Sequence, residues 1–196
     1  MNAALLYLPY LPNINWLQNF AKHETVLIER EENFVKSTYR NRCEIAGANG
    51  KQTLSIPIIG GRDHHQLYRE VRISYTENWQ RKHWQAIRSA YGSAPFFEFY
   101  AEKFQPLYEK KFELLFDFNL ALLKTSLSIL KLSSDFRITE IFEKEPTGKI
   151  DLRSDEQISS LKYYQVFQER NRFIPNLCVL DLIFNEGNRS TEIISQ

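Results

Sequence analysis

Between Glu32 and Cys43 the chain reads Glu-Asn-Phe-Val-Lys-Ser-Thr-Tyr-Arg-Asn-Arg-Cys. Three cations, two asparagines, two aromatic residues and two hydroxyl residues stand there between two apolar, strand-like runs. Side chains of these types grip an anionic, polar ligand. Arg40 and Arg42 are planar fork donors, Lys36 is a point charge, Asn33 and Asn41 offer amides, and Tyr39 adds a ring and a hydroxyl. A phosphate, a sugar phosphate or a carboxylate satisfies such donors. In a strand, Arg40 and Arg42 share a face and Asn41 points the other way. The competing reading is a solvated edge strand whose charges discourage aggregation.

A second candidate lies in the pattern Trp79, His83, Ile87, Ala90, which recurs at helical spacing and puts His83 on an apolar face. Desolvation lowers the pKa of such a histidine and keeps it neutral, so it can serve as a general base. It can equally be a core histidine bonded to a backbone carbonyl. A third candidate is Asp181, flanked by Leu180 and Leu182 in an apolar stripe with Leu177, Ile183 and Phe184. A carboxylate in such surroundings needs a cationic or donor partner, and one of the basic residues of 36–42 is the natural one. A structural ion pair is the alternative. Residues 33–42, His83 and Asp181 to Asn185 are expected to converge on one cleft, with Trp79 and Asn185 among its ligand contacts. His64-His65, with Asp63, lacks the spacing of a metal site. No P-loop, GxGxxG, GxSxG or HExxH is present, no metal site is expected, and the sequence leaves the cofactor unknown.

The elements that must position these groups follow from the hydrophobic pattern. Residues 3–8 form a buried strand, Ile14, Leu17, Phe20 and Ala21 mark a helix, and Thr25–Ile28 is a second strand. Strand, helix and strand within about 25 residues make a βαβ unit with a parallel pair. The polar segment 29–42 then falls where α/β proteins place ligands, outside the carboxyl ends of strands. Residues 43–46 and 53–58 flank Gly47-Ala48-Asn49-Gly50, a hairpin. Residues 60–70 read as a polar loop and 71–75 as a strand. Helices are expected over about 78–91, 95–104 and 106–131, with Gly92, Ser93, Pro95 and Pro106 as boundary residues. A strand over 136–142 follows, then a loose charged loop over 143–162. A final helix over 177–185 is capped by Asn176 and ends near Gly187.

The fold class is therefore α/β: an N-terminal βαβ unit in a mixed, largely parallel, Rossmann-like sheet, with a helical second half. At 196 residues the chain suits one domain spanning 1–196. It is 43% hydrophobic and 14% aromatic, with 14 Phe and 10 Tyr, so it builds a core without disulfides and has rings to spare for a cavity. With 25 basic against 24 acidic residues it lacks the basic excess of a nucleic-acid binder, though not the means for a local basic pocket. Cys43 and Cys178 lie far apart without CxxC pairing and read as reduced thiols. No signal peptide and no membrane span of about 20 apolar residues is evident, so a cytoplasmic protein is expected.

Several of these stretches resemble the WbqC-like proteins of bacteria. The residues that carry the resemblance begin with Tyr7-Leu-Pro9 to Trp16, Glu32-Asn33-Phe34 with Lys36, Thr38 to Arg42, and Gly47 to Gly50. They continue with Asn78 to Trp84, Tyr91, Ala94 to Phe97, Tyr100, Pro175-Asn176-Leu177 and Leu180 to Gly187. The chain looks most like the shorter branch common in Bacteroidetes. Longer members open with Gln-Pro and carry a further segment before the final motif, where residues 143–172 here are short and polar. Serine is usual where Cys178 stands. The resemblance implies surface-polysaccharide or O-antigen assembly and transfer of an amino acid or acyl group to an amino sugar. On that expectation the chain is a transferase acting on a nucleotide-activated or phosphorylated amino sugar. Lys36, Arg40 and Arg42 would hold the anionic part, Asn41 and Tyr39 would orient the sugar, and His83 would be the base. The rival expectation is a non-catalytic nucleotide- or sugar-phosphate-binding protein. An RNA-associated module is disfavoured by the balanced charge.

Overall fold

A computed structural model of the chain describes residues 3–60, 65–133, 135–154 and 157–196. It opens with strand β1 (Ala3–Tyr7), helix α1 (Ile14–Lys22) and strand β2 (Thr25–Glu29). The Asn13 side chain accepts from the Trp16 N–H and so caps α1. Ile14, Trp16, Leu17 and Phe20 form its buried face. A hairpin follows, β3 (Arg42–Gly47) and β4 (Gly50–Ser55), whose register closes at Gly47 and Gly50. Gly50, at φ +106°, takes a backbone conformation closed to other residues. Helices α2 (Trp79–Tyr91), α3 (Phe97–Glu109) and α4 (Leu115–Leu130) come next. Two short strands, β5 (Phe136–Ile138) and β6 (Lys149–Asp151), precede a single turn α5 (Gln168–Asn171) and helices α6 (Val179–Glu186) and α7 (Ser190–Ile194).

The expected α/β class holds. The βαβ unit forms a parallel pair, in register from Ala3 opposite Thr25 to Tyr7 opposite Glu29. β5 adds in parallel to β2 and β6 in parallel to β1, giving the order β5-β2-β1-β6. The antiparallel hairpin stands apart as its own two-stranded sheet. Every residue of α6 is buried, and this helix packs on β3, α3, α4 and α7. Parallel strands need both faces covered, which explains why β1 reads as an apolar run and not an alternation.

Several boundaries differ from expectation. Residues 71–75 form no ladder. The segment threads between two irregular stretches, with Ser74 N–H donating to Pro57 C=O and Ile73 N–H to Glu113 C=O, so Val71 and Ile73 are buried without a sheet. Pro106 does not open a helix but lies inside α3. One lost backbone bond near that helix's end is offset by burial of Phe104 and Tyr108 on either side. The loop expected over 143–162 contains β6, which is charged because it is an edge strand with Ile150 exposed. Asn176 does not cap α6; Cys178 holds that position. Asn176 instead has a φ of +58°, and its Oδ1 accepts from Asn15 N–H at the start of α1.

Candidate functional site

All four strands of the main sheet point the same way, so their carboxyl ends share one edge. From β1 the chain builds outward on one side through β2 and β5, then returns to the other side as β6. The strand order thus reverses between β1 and β6, and in open α/β sheets ligands sit in the crevice at such a point. A cleft of about 410 Å³ lies there. Tyr7 from the end of β1, Glu32, Asn33, Tyr39 and Arg40 from after β2, Phe142 from after β5, and Asp151 and Arg153 from the end of β6 line it.

Its charges are paired. Arg40 donates from Nε and Nη2 to the two Glu32 oxygens at 2.7 and 2.8 Å, and its guanidinium lies 4.7 Å from the centre of the Tyr7 ring. Arg153 donates to Asp151 at 2.6 and 2.9 Å, reaches Glu29 at 3.5 Å, and covers the Phe142 ring. Burial raises the Glu32 pKa, and Arg40 only partly opposes that. The hydrogen bonds from Arg153 lower the pKa of the more exposed Asp151. Beneath the cleft, Asn119 Nδ2 donates at 2.7 Å to both Arg40 C=O and the Tyr68 hydroxyl, which donates on to Leu8 C=O. This buried network fixes the polar segment onto α4.

The residues singled out in the sequence divide among three places. Asn33, Tyr39 and Arg40 line the switch-point cleft. Lys36, Asn41, Arg42, Trp79 and His83 line a second cleft of about 440 Å³, on the other side of the segment, with Lys82 and Glu77. Asn185 lines a third hollow with Phe96, Tyr164 and Arg189. The segment from Ser37 to Arg42 turns tightly, with Ser37 at φ +67° and its N–H donating to Asn41 Oδ1 at 3.2 Å. Arg40 and its neighbours Asn41 and Arg42 therefore serve opposite clefts, and the residues expected to converge on one cleft line three separate hollows.

His83 is 6% exposed, and Tyr10 Oη, itself 2.9 Å from the Tyr108 hydroxyl, lies 2.9 Å from its Nδ1. Burial lowers its pKa to about 4, against a weaker opposing hydrogen bond to the Ser55 backbone. The ring is neutral at pH 7, and the Tyr10 hydroxyl lies against its Nδ1. Asp181 is fully buried and receives Gln165 Nε2 at 2.9 Å. Burial raises its pKa to about 6, with the hydroxyls of Tyr163 and Tyr91 opposing. The cationic partner expected from residues 36–42 is not there; neutral donors replace it. Asn185 turns its Nδ2 back to Asp181 C=O at 2.7 Å. Cys43 and Cys178 are both buried free thiols.

Among the described residues no group of three or more His, Cys, Asp or Glu could hold a metal, and no helix is long and apolar enough to cross a membrane. Asp63 and His64 lie outside the described residues, and His65 is exposed. The structure adds to the switch-point cleft residues that the sequence does not single out as site residues, among them Tyr7, Glu32, Phe142, Asp151 and Arg153. Glu32 stands beside Asn33 but, as an anion, does not itself point to an anion-binding site, and Asp151 and Arg153 fall in the stretch that the sequence predicts to be a loose loop. The sequence signal of Asp151 and Arg153 is an Asp-x-Arg pair beside Ile150 and Leu152.

Comparison with known proteins bears on this arrangement. The "Uncharacterized protein Rv1507c" of Mycobacterium tuberculosis is 29% identical over 106 residues, which cover 54% of this chain and 45% of that protein. The chain thus spans less than half the length of the curated relative it matches. No solved structure matches. The model of the WbqC-like protein family matches residues 9–165, a span that takes in both clefts' polar segment and the helices behind it, and ends short of the motif at 175–187. The chain belongs to the WbqC-like protein family.

Proposed function

We propose that this chain binds a phosphorylated or nucleotide-activated amino sugar in the switch-point cleft and transfers an aminoacyl or acyl group to it during surface-polysaccharide synthesis. The observation that carries the reading is the cleft itself. It opens at the carboxyl ends of parallel strands and combines aromatic rings (Tyr7, Tyr39, Phe142) with Arg40, Asn33 and two carboxylates. Rings and planar polar groups suit a sugar, and Arg40 beside them suits its anionic substituent. Family membership supports the polysaccharide context.

Acyl transfer to an amine needs a proton acceptor near the nucleophile. Glu32 fits better than His83, because it lines the cleft and burial has raised its proton affinity. A second reading, binding without turnover, is favoured by one observation: the cleft's carboxylates are already paired with arginines.

Titration calorimetry with uridine-diphosphate amino sugars and with amino-sugar phosphates tests the reading. Wild type is expected to bind one class saturably, and Asn33→Ala and Tyr39→Phe to weaken it without lowering the melting temperature. Glu32→Gln is expected to bind yet fail in acyl transfer. Saturable binding with no transfer from any acyl donor supports the second reading, and absence of binding removes both.

A further inference from the structure

We propose that the second cleft, between the Lys36–Arg42 segment and the first turn of α2, is a separate site for a phosphorylated small molecule. Its lining shares no residue with the switch-point cleft. The inference therefore stands whatever the switch-point cleft binds.

Charge is the first ground. Lys36, Arg42 and Lys82 face the cleft, and Glu77 is the one acid among its lining residues. Glu77 is held by Lys82 at 2.7 Å. Among the described residues Lys36 and Arg42 have no ion-pair partner, so two positive charges remain for an incoming anion.

Unused donors are the second ground. Arg42 spends Nη2 on the Ser37 hydroxyl at 2.9 Å, but its Nε is buried without an acceptor. Trp79, only 3% exposed, has a buried indole N–H that is likewise without one. Buried donors are nearly always paired, so two orphans on residues that line one cationic cleft are donors left over for an acceptor there.

The third ground is the backbone. Trp79 opens α2, a helix of 13 residues, and the Asn78 side chain makes no capping bond there. The helix dipole and its free N–H groups favour an anion at that end. His83, one turn on, adds no opposing charge. The opposite wall, Ile56-Pro57-Ile58, is apolar and offers a bed for the body of the molecule. A volume of about 440 Å³ exceeds what a bare phosphate fills.

The test uses the full chain, ¹⁵N-labelled at tryptophan, titrated with inorganic phosphate and with glycerol phosphate. Of the three indole N–H resonances, the one absent from Trp79→Phe is expected to shift saturably, and glycerol phosphate to bind more tightly than phosphate. Lys36→Ala, an exposed change, and Arg42→Ala are each expected to weaken binding about tenfold or more, the loss of a charge-assisted bond. Asn33→Ala, in the other cleft, is expected to leave it unchanged. A shift that never saturates, one that sodium acetate reproduces at equal concentration, or one indifferent to Lys36→Ala overturns the proposal. Loss of phosphate binding in Asn33→Ala would show the anion to lie in the switch-point cleft and overturns it too.

Discussion

His83 and Asp181 make opposite demands on pH, and in the wild-type chain they conceal one another. The His83 pKa falls from 6.5 to about 4 on folding. The unfolded chain therefore takes up this proton first. Stability is unaffected above pH 6.5 and is lost as pH falls toward 4. Each pH unit of displacement is worth about 1.4 kcal/mol, so the loss amounts to roughly 3 kcal/mol. The Asp181 pKa rises from 3.8 to about 6. Its contribution is fully present below 3.8 and is lost as pH rises through 6, again by roughly 3 kcal/mol. Between pH 4 and 6 the two nearly cancel. Single substitutions should expose each one. His83→Gln costs about 1–3 kcal/mol at pH 7 through the lost Tyr10 partner. Its deficit relative to wild type should shrink by up to ~3 kcal/mol at pH 4. Asp181→Asn should gain on wild type at pH 7, and that advantage should vanish at pH 4. Urea unfolding of the three proteins at pH 4, 5, 6 and 7 reads both effects, with every other titrating group common to all. Differences between variant and wild type that stay flat across this range would refute both displaced pKa values, and with them the dry, neutral surroundings from which they follow.

Further outcomes are expected elsewhere. Gly187 has a φ of +55°, and a Cβ there would come within 2.6 Å of the Phe96 ring; Gly187→Ala should lower stability by about 2–5 kcal/mol, and thermal melting decides whether it does. Arg40→Ala leaves Glu32 buried and unpaired and should cost about 3–5 kcal/mol in chemical denaturation, whereas Glu32→Gln with Arg40 retained should cost less. Asn119→Leu should lose about 1–3 kcal/mol despite its similar size, because Arg40 C=O loses its donor; full stability in that variant would show the network to be dispensable.

The chain's own pattern determined the βαβ start, the hairpin at Gly47–Gly50, the α2 helix and the segment that carries the site. Each is a local matter: period of apolar residues, turn chemistry and caps act over a few positions and can be read in order. The apolar placement of His83 was legible for the same reason, since helical spacing alone puts it beside Trp79 and Ile87. Lys36, Arg40 and Arg42 were legible as a group because no core accepts so many donors. Which side each faces was not, because the Ser37–Arg42 turn replaces strand alternation with a tight bend whose shape depends on Asn41 and Ile56. Tertiary structure alone decided that Arg40 belongs to Glu32, that Arg153 reaches the switch point from more than a hundred residues away, and that Asp181 is met by Gln165 and not by a cation. Partners so distant in sequence leave no periodic trace. Only the closure of β6 beside β1, and the burial of α6 against β3, brings them within a hydrogen bond.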